Sequence, residues 1–414
     1  MLLKVEKPED LEKYKGQVAG KIVLVGTPKD LKLHEEAESE RYDEKKLADI
    51  VNYSAASGYE DRRAQYMAQR ALAKAVEKFL TDEKALASIE ASRGKGGLLF
   101  VQGTNAYKQE EPVGIPSVVM EPENYGRIAR LLERKIAVQL ELNVQNKFYD
   151  NVEQFNTIAE IPGTDKKDEI VMLGGHLDSW HSGTGATDNG AGVAVAMEAM
   201  RILKAMGVKP RRTIRIGLWG GEEQGLLGSR GYVTQHFGVR ERVLTAGMNP
   251  EIPEYFRPLG KLVLKPEQAK ISAYFNLDNG TGRIRGIYAQ ENAAVVPIFE
   301  KWLQPFGDLG AKSVTMRNTS GTDHLSFDAV DIPAFQFIQD PIEYETITHH
   351  SNLDVYERAQ KEDLMQAAAI MASFVYNAAI RDEMLPRKPI EKPASERLKV
   401  NVAGTPGAAV AGGQ

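Results

Sequence analysis

Four short stretches hold most of the side chains that could do chemistry. "GGHLDSWHSGTGATDNGAG" (Gly174–Gly192) places His176, Asp178, His181 and Asp188 in one glycine-rich loop. "WGGEEQG" carries Glu222 and Glu223, "NLDNGTG" carries Asp278, and "THHSNLD" carries His349 and His350. Four of the seven histidines fall in these stretches, a concentration that a random scatter would rarely give. Histidine with carboxylate and no sulfur is the donor set of zinc or a similar divalent ion. Two ions held close together need a bridging carboxylate. Asp188 can be that bridge, because "DNGAG" opens a helix and its glycines let backbone approach. In His-x-Asp the two side chains share one face of an extended strand, so the Asp178 carboxylate is expected to accept the free N–H of His176 and orient it. Adjacent Glu222 and Glu223 point apart if extended. One can bind metal while the other takes a proton from the attacking water.

These groups need elements to hold them. From Asn151 onward, apolar runs such as "EIVMLGG", "RTIRIGLWGG", "ISAYFNLDNG" and "IPAFQFIQ" alternate with helical stretches, ending in a helix near Asp363–Ala379. That alternation predicts an α/β sheet with helices on both faces, and open sheets of this kind bind ligands beyond the carboxyl ends of their strands. Each of the first three motifs follows such a run directly, and the fourth lies a little beyond the last. Upstream, "GKIVLVGT" (Gly20–Thr27), "GGLLFVQG" (Gly96–Gly103), "GIPSVVM" (Gly114–Met120) and "AVQLELNV" (Ala137–Val144) read as strands, with helices over Arg62–Leu80 and near Asn124–Arg134. Val239–Lys270 is rich in proline and charge and reads as an inserted loop. Three units are expected: residues 1–148, a catalytic unit at 149–386, and a low-complexity, disordered tail at 387–414.

Composition narrows the class. The chain has 414 residues, 42% hydrophobic and 26% charged, with a net charge of −5 and mixed signs. This fits a globular protein of more than one domain and gives no basic face for nucleic acid. The absence of cysteine excludes thiol catalysis and disulfides. No apolar run reads as a membrane span, and the early Lys4 and Glu6 do not fit a signal peptide. The glycine loop lacks the lysine of a phosphate-binding loop, and "LGSRG" (Leu227–Gly231) lacks the first glycine of a nucleophile elbow. His34, His181 and His236 read as solvent-facing. Alone, Glu222–Glu223 would be a solvated helix start and Asp278 a turn residue; the joint occurrence makes the metal site.

The ordered set His-x-Asp, Asp-Asn-Gly, Glu-Glu, Asp and His resembles the co-catalytic dinuclear zinc exopeptidases, the family of the leucyl aminopeptidases and glutamate carboxypeptidase. "GGHLDSW", "LWGGEEQG", "GTDHLSF" (Gly321–Phe327) and "HHSNLD" carry the likeness, which spans Asn151 to Pro386. It implies a three-layer catalytic fold of mixed sheet with helices on both faces, and two zinc ions per chain. Asp188 would bridge them, with His176 and Asp278 completing one site and Glu223 and His350 the other. His350 is preferred to His349 because the family ligand directly precedes a Ser or Thr, here Ser351. Glu222 would be the general base, with Asp178 also in a catalytic role; no oxyanion tyrosine is assigned, and Asp323 and His324 are expected to line the substrate cleft. Residues 1–148 resemble the small α/β protease-associated domain that relatives insert into this fold. A catalytic segment normally precedes that insertion, so a missing N-terminal portion is expected. Relatives are mostly secreted or periplasmic and commonly dimeric. The expected activity is hydrolysis of dipeptides or short peptides by zinc-activated water, with a free amino terminus favoured. The alternatives are a mononuclear glutaminyl cyclase-like acyltransferase and a receptor-like binding module that has lost its ligands.

Overall fold

In the computed structural model, residues 1–390 are described apart from 32–34, 36, 53–58, 104–112, 246, 250–251 and 253–256. His34 and nearly all of the expected tail lie outside the described residues.

The first sheet is small and wholly parallel, in the order β1 (Leu2–Leu3), β2 (Ile22–Val25), β3 (Ala87–Ala91), β4 (Ser117–Met120). Helix α2 (Tyr59–Asp82) contributes Leu72, Val76, Phe79 and Leu80 to one apolar cluster beside it. Helix α3 (Pro122–Glu133) closes the sheet with Tyr125, fully buried, whose hydroxyl donates to the carbonyls of Val25 and Gly26 at 2.8 and 2.9 Å. Two strands expected in this region do not form. Ala137–Val144 alternates correctly but pairs with nothing among the described residues, and Leu142 and Val144 stay exposed. Gly96–Gly103 is irregular chain that bonds instead to a distant loop described below. Periodicity proposes a strand; only an open neighbouring edge makes one.

Within the stretch 1–148, α1 (Glu44–Val51) packs on the larger sheet rather than the smaller. Just before it, Glu40 pairs with Ile342, and Arg41 reaches Asp340 and Asp363 at 3.1 and 2.7 Å. Both acids are buried, and buried carboxylates need such partners.

The larger sheet has seven strands, ordered β12 (Ser313–Thr315), β11 (Ile284–Tyr288), β13 (Ala334–Gln339), β10 (Ile271–Asn276), β6 (Lys166–His176), β7 (Arg212–Trp219), β5 (Thr157–Ile161). Strands β13, β10, β6 and β7 are mutually parallel, while β5 and the β11–β12 pair run against them. Every residue of β10 and β13 is buried, as apolar runs covered on both faces should be. Helices α4 (Ala191–Ala205), α6 (Val296–Leu303) and α8 (Lys361–Ile380) cover one face. Their core includes Phe275, Phe299, Phe335, Phe337 and Phe374, with Phe299 edge-on to Phe335 at 4.8 Å. Helices α5 (Leu227–His236) and α7 (His324–Asp328) cover the other, around Trp219, Tyr274 and Phe327. The mixed α/β sheet with helices on both faces is as expected from the alternating pattern.

Val239–Lys270 is not a plain loop. Its flanks β8 (Gly238–Arg242) and β9 (Leu259–Leu264) form an antiparallel hairpin, with Val239 opposite Val263. The charged, proline-containing middle hides the two short strands that flank it. Helix α8 is, by length and composition, apolar enough to cross a membrane, which the sequence reading did not expect. Here ten of its residues are buried against α4 and the sheet.

Candidate metal centre

Three parallel neighbours end side by side, and the registers align them: Asn276 pairs with Gly174, and His176 with Trp219. The residues that follow therefore gather at one edge. His176 closes β6; Glu222 and Glu223 follow β7 after two glycines; Asp278 lies two residues beyond β10; His349 and His350 follow the longer connection from β13.

Asp188 sits at the middle. Its loop is held by Asp354, whose carboxylate accepts the N–H groups of Thr187 at 2.6 Å and Asp188 at 3.1 Å. Asn189 donates its side-chain amide to the Leu277 carbonyl at 2.9 Å, fixing the start of α4 against the end of β10. The approach is so close that a Cβ at Gly192 would lie 2.1 Å from that carbonyl oxygen, hence the glycine. Asp188 then presents one oxygen to each histidine: Oδ1 lies 3.3 Å from His176 Nε2, and Oδ2 lies 3.2 Å from His350 Nε2. Around His176 Nε2 stand Asp278 Oδ1 at 3.3 Å and Glu222 Oε2 at 4.0 Å. On the other side, Glu223 Oε2 is 2.9 Å from His350 Nε2. The adjacent glutamates thus diverge, one towards each histidine.

Charge crowding marks this group as a candidate cation site. Burial raises the Glu222 carboxyl, and Asp278 beside it raises it further, to about 10. Glu223 is raised by burial too, with His350 opposing. Burial works against charge on His176, yet Asp278, Asp178 and Asp188 lift it well above its ordinary value. Burial opposes ionisation of Asp188 as well, but His176 and His350 hold it below the usual carboxylate range. Four carboxylates and two imidazoles this close cannot all take their ionic forms without further positive charge. Asp188 Oδ2 and Glu223 Oε1 are buried, and neither accepts a well-aligned hydrogen bond among the described residues. Acceptors left open in this way, beside imidazole nitrogens, fit divalent ions.

Two expectations change. The Asp178 carboxylate is 3.7 Å from His176 Nδ1, which instead lies 2.9 Å from the backbone carbonyl of Asp178. Strand β6 ends at His176, so the two-residue alternation does not extend to Asp178. The carboxylate accepts the backbone N–H groups of Glu222 and Glu223 at 2.9 and 3.1 Å, tying the β6 and β7 loops together. Asp323 and His324 do not line the cleft. Both are fully buried behind Thr322, Leu325 and Ser326, which do line it. Burial raises Asp323 to about 7 and lowers His324 to about 4, while His324 Nε2 contacts Gln290 at 2.7 Å.

The structure adds residues that the motifs did not assign. Asp354 lay inside "HHSNLD" with no role given. Tyr344 is buried and lines the cleft, and burial with Asp188 nearby holds its phenol well above the ordinary value. His349 stacks on Tyr344 with ring centres 4.6 Å apart, and its Nε2 stays 3.8 Å from Asp188 Oδ2. The cleft over the cluster measures about 640 Å³, within the range of small-ligand sites. Arg230, Arg240 and Arg242 line its α5–β8 wall, and Glu345 lies beside His349.

Comparison with known proteins supplies a family. Carboxypeptidase Q of Mus musculus is 29% identical over 285 residues, 69% of this chain and 54% of that protein, so the match spans about half of the relative's length. The solved structure of a peptidase M28 precursor from Shewanella amazonensis SB2B superposes with a TM-score of 0.63 at 25% identity, covering 94% of this chain and 76% of that one. A zinc aminopeptidase structure from Bacillus subtilis gives 0.54 at 20% identity, covering 93% and 77%, a likeness of fold. The model of peptidase family M28 matches residues 156–375, more than half the chain and all four motifs, and the chain belongs to that family.

Proposed function

We propose that this protein is a two-zinc exopeptidase that hydrolyses dipeptides or short peptides. The observation that carries the reading is Asp188, which turns one carboxylate oxygen to His176 and the other to His350. His176 and Asp278 would hold one ion and Glu223 and His350 the second, with Asp188 shared. Ions bound there supply a Lewis acid for the scissile carbonyl and a lowered pKa for the attacking water.

The chain's own residues supply the rest. Glu222, buried beside the ligands with Oε2 4.0 Å from His176 Nε2, is placed to accept a proton at its carboxylate and return it to the leaving nitrogen; cations bound beside it would bring down the proton affinity that burial raises. Asp178 fixes the backbone of both glutamates and so positions that base. Tyr344, kept protonated, can donate its O–H to the developing oxyanion. Glu345, the cleft carboxylate outside the ligand set and the base, gives a free amino terminus a negative partner next to the scissile bond. The β1–β4 unit remains a protease-associated-like domain in this reading, supported by its small α/β make-up.

Zinc content and turnover test it together. Two zinc ions per chain, with hydrolysis of free dipeptides far ahead of N-acetylated ones, is the expected result. One ion with cyclisation of N-terminal glutamine would favour the acyltransferase reading, and no bound zinc would favour a binding module. Equal rates on acetylated and free dipeptides would refute the free amino terminus.

A further inference from the structure

His350 is held from both sides. Its Nε2 faces Glu223 and Asp188, while its Nδ1 lies 2.8 Å from the side-chain amide nitrogen of Gln102. Gln102 belongs to the segment beyond β3 of the smaller sheet, 248 residues away in sequence. The contact is not isolated. Phe100 pairs with Ser351, Val101 N donates to the His350 carbonyl at 2.9 Å, and Asn352 N donates to the Leu99 carbonyl at 2.9 Å. Leu99 N donates in turn to Asn352 Oδ1 at 2.8 Å. Residues 99–102 thus form a short backbone clamp along the loop that carries His350, whose own φ is +61°. Left-handed backbone is uncommon outside glycine, though histidine tolerates it better than most residues.

We infer that Gln102 is a positioning residue for His350, holding the imidazole so that Nε2 points between Asp188 and Glu223. The inference rests on the two-metal reading above. An imidazole used as a ligand at one nitrogen needs its other nitrogen engaged, because that partner fixes the ring's rotation and its tautomer. Once Nε2 gives its lone pair to a cation, Nδ1 carries the proton and must donate. A glutamine can meet either state, since half a turn of its amide presents oxygen in place of nitrogen. The smaller sheet therefore supplies part of the metal site, and the segment 99–102 completes it.

Zinc affinity by chelator competition tests this on the full chain with Gln102→Leu and Gln102→Glu. Leucine keeps the bulk but loses the hydrogen bond, and should weaken zinc binding about 10–100-fold. Glutamate retains an acceptor for Nδ1–H and should restore wild-type affinity or exceed it. Melting of the zinc-stripped proteins should leave Gln102→Leu close to wild type, so that lost affinity reports on the ligand and not on misfolding. Equal zinc affinity in Gln102→Leu and a two-zinc wild type would overturn the role of Gln102 alone. Glutamate as weak as leucine would overturn it too, by showing that the hydrogen bond is not what matters. A wild-type protein that binds no zinc would overturn this inference and the two-metal reading together.

Discussion

Glu222→Gln separates two roles of one carboxylate. In the zinc-stripped protein, the fold holds Glu222 with its proton affinity raised from an ordinary 4.5 to about 10, by burial first and then by Asp278. The unfolded chain ionises near 4.5, so at neutral pH the folded state binds the extra proton. Stability must then fall as pH rises between about 4.5 and 10. At pH 7 the gap is some two and a half units at about 1.4 kcal/mol each, a destabilisation on the order of 3 kcal/mol. Glutamine fills the same space without that titration. Zinc-stripped Glu222→Gln should therefore melt roughly 5–10 °C above zinc-stripped wild type at pH 7, with the difference shrinking towards pH 5. Loaded with zinc, the same variant keeps all five proposed ligands and should retain two ions. It should nevertheless lose about 10²–10⁴-fold in turnover, the usual contribution of a proton-transferring base. Calorimetry of stripped protein across pH, with metal analysis and kcat of the loaded protein, reads both effects. A stripped variant no more stable than wild type would refute the electrostatic argument, and a loaded variant of unchanged kcat would refute the catalytic one.

Glu223→Gln should behave oppositely: its Oε2 lies 2.9 Å from His350 Nε2, so it should lose zinc as well as activity, with partial rescue by excess zinc. Metal analysis showing two ions in Glu223→Gln and depletion in Glu222→Gln would reverse the two assignments. Tyr344→Phe should retain zinc and lower kcat by about 10²–10³-fold, the scale of one oxyanion donor; an unchanged kcat would remove Tyr344 from the reaction.

Much of the large sheet was legible locally. Buried parallel strands read as continuous apolar runs, so β6, β7, β10 and β13 announced themselves, and α8 runs over Lys361–Ile380 where a helix near Asp363–Ala379 was expected. The edges were harder to see. Ala137–Val144 has a strand's alternation and no partner among the described residues, while β8 and β9 pair across a polar tip that looked like a loop. Pairing is a property of two segments, and a single-segment pattern cannot report it.

The sequence by itself marked the candidates for a metal site, His176, Asp188, Glu222, Glu223, Asp278, His349 and His350, as metal-binding side chain types at or beyond strand signals, and only the family resemblance chose His350 over His349. Tertiary structure decided what holds each of them. The Asp178 carboxylate takes the backbone of the glutamates because β6 ends before it, and Asp354 anchors the Asp188 loop from across the site. Asp323 and His324, adjacent to cleft residues in sequence, are buried behind them by the packing of α7. Gln102 meets His350 only because two sheets come together. Ligand identity is a matter of side-chain chemistry, which is local; orientation depends on hydrogen bonds between distant segments, which exist only once the chain has folded.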